Sequence, residues 1–228
     1  MNIKYKIIKS KKRKRTTTIQ ISEFGKIMVR TPYNQTFKTT EKILINNKKW
    51  ILQKLETLKK LNIKQKKYTN GSELLYRGKK ILVKLENSKS TRTKINLAEN
   101  NLIIKNGNTL KSNKIKEVIT KWIKKEAKNI ITNRVEYYTN FLNLKYKKIY
   151  IKNVKTIWGS CSSRKNLNFN YKLVMAPHNI IDYVVIHEVC HLVHQNHSKS
   201  FWSLVKSIDP NFKEHKKWLH ENGHNLTL

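Results

Sequence analysis

Five residues, His187-Glu188-Val189-Cys190-His191, stand inside an otherwise apolar run from Ile180 to Val193. A run of this length and pattern predicts a buried helix, over about 180–195, so the fold must supply apolar surface around it on several sides. At 100° per residue, His187 and His191 lie one turn apart on the same face and can converge on one ion. Glu188 is next to the first histidine, where it can reach a water at that ion without taking a coordination position. The plain alternative is a pair of hydrogen-bonded core histidines.

If the ion is zinc, it lowers the pKa of the water, Glu188 accepts the proton, and the hydroxide attacks a carbonyl. A catalytic zinc takes three protein ligands and keeps one open position. His197 is six residues past His191 and would point to the wrong side of a continuous helix. It can ligate if the helix ends at Gln195-Asn196, since Asn tolerates the left-handed conformation that terminates helices. His194 lies on the ligand face but two turns from His187, about 10 Å along the axis. Glu214 and His215 are the remaining alternatives. Tyr183, Asn170, His178 and His194 are unranked candidates for stabilising an oxyanion. No Met follows Met175, which excludes a Met-turn after the motif.

Charge divides the chain. The formal net charge is +35, yet residues 178–228 contain five Lys and five acidic residues, so the excess lies wholly in 1–177. All eight histidines fall between His178 and His224. A basic N-terminal platform joined to a neutral, histidine-rich module suggests a polyanionic partner, with non-specific nucleic acid the first candidate. Arg, the residue of bidentate base and phosphate contacts, is outnumbered 42 to 7 by Lys, which argues against sequence-specific reading.

Alternation predicts strands over 3–8 and 16–30, with a turn near Glu23-Phe24-Gly25 and the basic run Lys9 to Arg15 as a solvated hairpin end. Residues 40–61 read as one amphipathic helix on Leu44, Ile51, Leu55, Leu58 and Leu61, followed by a polar connector over 64–70. A second β segment covers 74–105 and closes at Asn106-Gly107-Asn108. A long helix starts at Ser112 on Ile115, Val118, Ile119, Trp122 and Ile123 and runs to about Phe141. Strands near 148–154 and 166–175 lead to the histidine helix, for which Asn179 is a suitable N-cap and Asp182 suits the N-terminal dipole. The class is α+β: a basic β-rich region with one helix over 1–111, then a catalytic domain over 112–228.

Further motifs carry a resemblance. Arg30-Thr31-Pro32, Lys49-Trp50-Ile51, the run Gly71 to Gly78, Trp158-Gly159-Ser160-Cys161-Ser162, Asn170 with Leu173, Ala176-Pro177, Asp182 to Val185, Asn196-His197-Ser198 and Phe201-Trp202 are family landmarks. With them the chain resembles the YgjP-like metallopeptidase family, a branch of zincins similar to SprT-like proteases. The resemblance implies zinc held by His187, His191 and His197, Glu188 as general base, and a peptide or protein substrate. It also implies a compact, minimal gluzincin-like core: a backing helix, a small sheet with its edge strand over the cleft, the metal helix and a C-terminal helix. Ile157, where an Arg commonly precedes the Trp-Gly-Ser-Cys run, and Cys190, in a usually small apolar slot, depart from the pattern.

The two cysteines, Cys161 and Cys190, read as packed thiols in a reducing compartment. Trp202 and Trp218 read as core under the metal helix. Without a long apolar run or a secretory pattern, the expectation is a cytoplasmic protein away from membranes, of unassigned oligomeric state.

Overall fold

The most apolar strand of the first sheet takes its centre. In the computed structural model, which describes residues 4–22, 25–60, 67–88, 92–106, 109–154 and 157–228, β3 (Ile27–Pro32) lies between β1 (Tyr5–Ser10) and β2 (Thr18–Ile21). β1 is parallel to β3, with Tyr5 opposite Ile27, and β2 is antiparallel to it. The basic run is therefore no hairpin end. β1 and β2 are not neighbours, and their connection crosses the end of β3, where the Arg13 guanidinium donates to Thr18 Oγ1 at 2.8 Å.

The amphipathic stretch after this sheet forms two helices, α1 (Phe37–Asn46) and α2 (Lys48–Lys60), not the single helix expected. Thr36 starts α1 early by accepting from the Thr39 N–H. At the break, the Asn47 side-chain amide donates to the Ile43 carbonyl at 2.8 Å, a local bond that competes with helix continuation. Ile27, Val29, Leu44 and Ile51 form a small core. Leu61, Glu23-Phe24, residues 64–66 of the connector and Gly107-Asn108 of the expected turn lie outside the described residues. These elements make up one compact unit, Met1–Gln65; the rest of the chain, Lys66–Leu228, forms a second.

In the second unit β4 (Glu73–Tyr76), β5 (Lys79–Glu86), β6 (Lys94–Ala98) and β7 (Asn101–Lys105) form a sheet of order β4-β5-β7-β6. Helix α3 (Ser112–Phe141) buries Ile115, Ile119, Ile123, Ala127, Ile131 and Val135, a stripe at helical spacing. A second sheet, of order β8-β10-β9, is built from β8 (Lys148–Lys152), β9 (Gly159–Cys161) and β10 (Asn166–Asn170). A 3-10 turn, Tyr171–Met175, delivers the chain to α4 (His178–Cys190), and α5 (Lys199–Ile208) and α6 (Phe212–Asn222) complete the unit. Among the described residues the fold is thus α+β, with six helices and three small sheets. None of these helices is long and apolar enough to cross a membrane.

The unit boundary, at Gln65/Lys66, lies apart from the expected division between the β-rich region and the catalytic domain at 111. Leu74, Val83, Leu102 and Ile104 share one core with α3 and α4, and Tyr76 packs on Trp122 while its hydroxyl donates to Glu126 at 2.7 Å. Strands give way to helix near 111, but the four-stranded sheet belongs with α3 and α4.

Helix α4 is fixed at its start and along one side. The β4–β5 turn donates to the segment just before it: Arg77 N–H to the Val174 carbonyl and Gly78 N–H to that of Met175. Pro177, not Asn179, stands at the N-cap, and Asn179 lies in the first turn. Asp182 is held by α3, accepting from Arg134 Nε at 2.6 Å and Nη2 at 2.8 Å, a bidentate pair. Gly78 has φ +78°, and a Cβ there would come within 2.9 Å of Pro177. Gly78→Ala is therefore expected to lower the stability of the second unit by about 1–3 kcal/mol. Urea unfolding followed by tryptophan fluorescence checks this, since four of the five Trp lie in that unit.

Candidate metal centre

Nine of the thirteen residues of α4 are buried, Glu188 among them. The helix ends at Cys190, sooner than the expected Gln195-Asn196, and Asn196 is not among the residues with positive φ. The closing bonds explain this: Val193 and His194 N–H both donate to the Cys190 carbonyl, and the Gln195 side-chain amide donates to that of His191 at 2.7 Å. With the last carbonyls satisfied in a tight turn, no left-handed residue is needed. The chain then doubles back, and Ser198 caps α5 by accepting from the Phe201 N–H.

This reversal brings His197 to the ligand face. His187, His191 and His197 each offer a nitrogen within 4.8 Å of the other two. His194 and Glu214 are not part of the cluster, and His215 donates from Nδ1 to the Asp209 carboxylate at 2.8 Å instead. His191 Nδ1 lies 2.9 Å from the His194 carbonyl, which can only accept, so Nδ1 donates and Nε2 is the nitrogen left to ligate. Between His187 and His197 the two Nε2 atoms are 3.0 Å apart. Two ring lone pairs at that separation repel unless a proton or a cation lies between them.

Burial, then the neighbouring His191 and His197, push His187 down to about 3, and burial lowers His197 as well. Both are held neutral, the form in which imidazole ligates a metal. The rings rest on aromatic surface: Phe201 stacks on His191 with centroids 4.5 Å apart, and Trp202 on His197 at 5.5 Å. Trp202 is thus more than core, since it stacks on His197 and Phe212 and carries the Lys216 ammonium 4.8 Å from its ring centroid. Three convergent and supported imidazoles fit a divalent transition metal such as zinc.

Glu188 is 5% exposed, and its Oε2 is buried without a hydrogen-bond partner among the described residues. Burial raises its carboxyl to about 8. The side chain passes against Gly159 of β9, where a Cβ would lie 2.5 Å from Oε1 and 2.6 Å from Cγ. Only glycine fits there. The sequence places Gly159 within a landmark but offers no sign of this contact, which joins residues 29 positions apart through tertiary packing.

The other candidates separate cleanly. Asn170 is tied to the fold, donating from Nδ2 to the Val154 carbonyl at 2.8 Å and accepting from the Lys172 N–H. His178 contacts the Arg77 guanidinium at the start of α4. Burial pushes the Cys161 thiol up to about 11 and that of Cys190 to about 12, and both are free, as packed thiols should be. Each of His187→Ala, His191→Ala and His197→Ala should weaken zinc binding by more than about 100-fold, above the loss typical of an outer-contact change. Competition with a chromogenic chelator measures it, and the same titration should find His194→Ala within a few-fold of the natural protein.

A solved structure, that of the metallopeptidase zymogen of Pyrococcus abyssi abylysin, is similar at 20% identity with a TM-score of 0.37, over 40% of this chain and 93% of its own. A likeness of that size has no bearing on the fold or the site. No curated protein matches the chain. The family model described as YgjP-like, metallopeptidase domain matches residues 15–222. The chain belongs to the YgjP-like metallopeptidase family.

Proposed function

We propose that this protein is a zinc-dependent endopeptidase in which His187, His191 and His197 hold the metal and Glu188 is the general base. The observation that carries this reading is the Glu188 carboxyl group, buried with Oε2 unpartnered among the described residues, beside three convergent histidines. An unpaired buried carboxylate is expensive, and sites that keep one use it for proton transfer. Bound zinc supplies Lewis acidity to a water and to the carbonyl of the scissile bond. Glu188 takes one proton from the attacking water and passes it to the leaving nitrogen, so that peptide plus water becomes a carboxylic acid and an amine. A structural zinc site is closed by four protein ligands, whereas the cluster here has three.

Support for cleavage within a chain comes from β9. It is an edge strand, paired only with β10 among the described residues, and it borders Glu188. An extended substrate can add to such an edge through main-chain hydrogen bonds. Two free thiols suit a reducing, cytoplasmic setting.

A second reading concerns partners. Residues 1–65 contain 18 Lys or Arg and three Glu, a charge density that favours a polyanion and fits substrates bound to nucleic acid. Fluorescence anisotropy with unrelated single- and double-stranded DNA should give affinities that fall steeply with salt and ignore sequence. Absence of binding at low salt would exclude this second reading and leave the first intact.

Glu188→Gln should keep one zinc per chain while hydrolysis of a peptide library falls by about 10²–10⁴-fold. Gly159→Ala should do the same through displacement of the carboxylate. Wild-type turnover in the glutamine variant contradicts the assignment of the base.

A further inference from the structure

Peptide hydrolysis by the triad and Glu188 develops negative charge on the attacked carbonyl oxygen, and a protein hydrogen-bond donor for that oxygen remains to be found. Tyr183 is one helical turn before His187, so both side chains lie on the same face of α4. Their ring centroids are 6.1 Å apart. On its other side the Tyr183 ring faces His215 of α6 at 6.4 Å, itself fixed by Asp209, which is 7% exposed.

The tyrosine is 6% exposed, yet among the described residues its hydroxyl has no hydrogen bond to the protein and is not one of the fully enclosed orphan atoms. Two other buried phenols differ: Tyr76 donates to Glu126, and the Tyr68 oxygen is enclosed. Tyr183 is therefore a packed ring beside His187 whose hydroxyl no protein group engages among the described residues. A phenol is an O–H donor at neutral pH.

We propose that the Tyr183 hydroxyl donates a hydrogen bond to the oxyanion of the tetrahedral intermediate, with the Asp209–His215 pair holding its ring from the α6 side. This rests on the peptidase reading above. The competing groups are engaged elsewhere: Asn170 with Val154 and Lys172, and His178 with Arg77. His194 meets the centre only through its backbone carbonyl, and its ring is not part of the histidine cluster.

Tyr183→Phe removes the hydroxyl and keeps the ring. The proposal expects unchanged zinc content and melting temperature, KM within a few-fold and kcat lower by about 10²-fold, the loss typical of one oxyanion donor. Calorimetry gives a readout independent of turnover. The probe is a phosphinic pseudopeptide, in which a tetrahedral phosphinate replaces one peptide group. Its affinity should fall by about the same factor, while an ordinary peptide binds the Glu188→Gln protein equally with and without Tyr183→Phe. Equal phosphinate affinity in the two proteins overturns the role of Tyr183 even if both are active peptidases. Loss of zinc or a large fall in melting temperature marks the tyrosine as structural and overturns it too. Absence of hydrolysis and of zinc-dependent phosphinate binding in the natural protein overturns the peptidase reading, and the proposal with it.

Discussion

Glu188 puts an ionisable group on the buried side of α4, with one oxygen unpartnered, and the packing around it is arranged to tolerate that. Leaving such a carboxylate charged and unpaired is worth several kcal/mol of destabilisation, a large part of the roughly 5–15 kcal/mol typical of a whole domain. The helix that bears it is therefore clamped by the Arg134–Asp182 pair, by the Arg77-Gly78 turn and by a continuous apolar core. Gly159 completes the arrangement, because any side chain there would occupy the volume of the carboxylate. A cation held by the three histidines would offset much of the penalty. Site and fold are in this sense one construction.

The same constraint explains why the centre is made from two ends of a turn. His187 and His191 come from helical periodicity alone, but the third imidazole needs a chain reversal. That reversal is local: bonds to the Cys190 and His191 carbonyls end the helix, and Ser198 opens the next. Phe201 and Trp202 on α5 then support the rings of His191 and His197. Ligand orientation is thus set by stacking as well as by the His191 Nδ1–H bond, so little is left to side-chain freedom.

Periodic elements are readable from sequence because burial imposes a period. Helix α3 runs over Ser112–Phe141 as its apolar stripe predicts, and the strands over 73–105 follow their alternation. Features decided by single contacts are not. Asn47 breaks one expected helix into two with a side-chain bond, and β1 pairs with β3 although β2 is nearer in sequence. β9 is three residues long, too short for any period, yet it carries the glycine against Glu188. The metal motif is legible as spacing. Its third member is legible from the residues only as one alternative among several, because the turn after Cys190 has no periodic signature. The boundary expected at 111 marks where strands give way to a long helix, whereas the unit boundary at Gln65/Lys66 follows the core.

The most direct test of a three-histidine, catalytically open centre is zinc K-edge X-ray absorption on the metal-loaded protein. Three imidazole nitrogens at about 2.0–2.1 Å and one further light atom supplied by solvent are predicted. A sulfur shell at about 2.3 Å, which would bring Cys161 or Cys190 into the coordination sphere, or a fourth protein ligand closing the site, would contradict it.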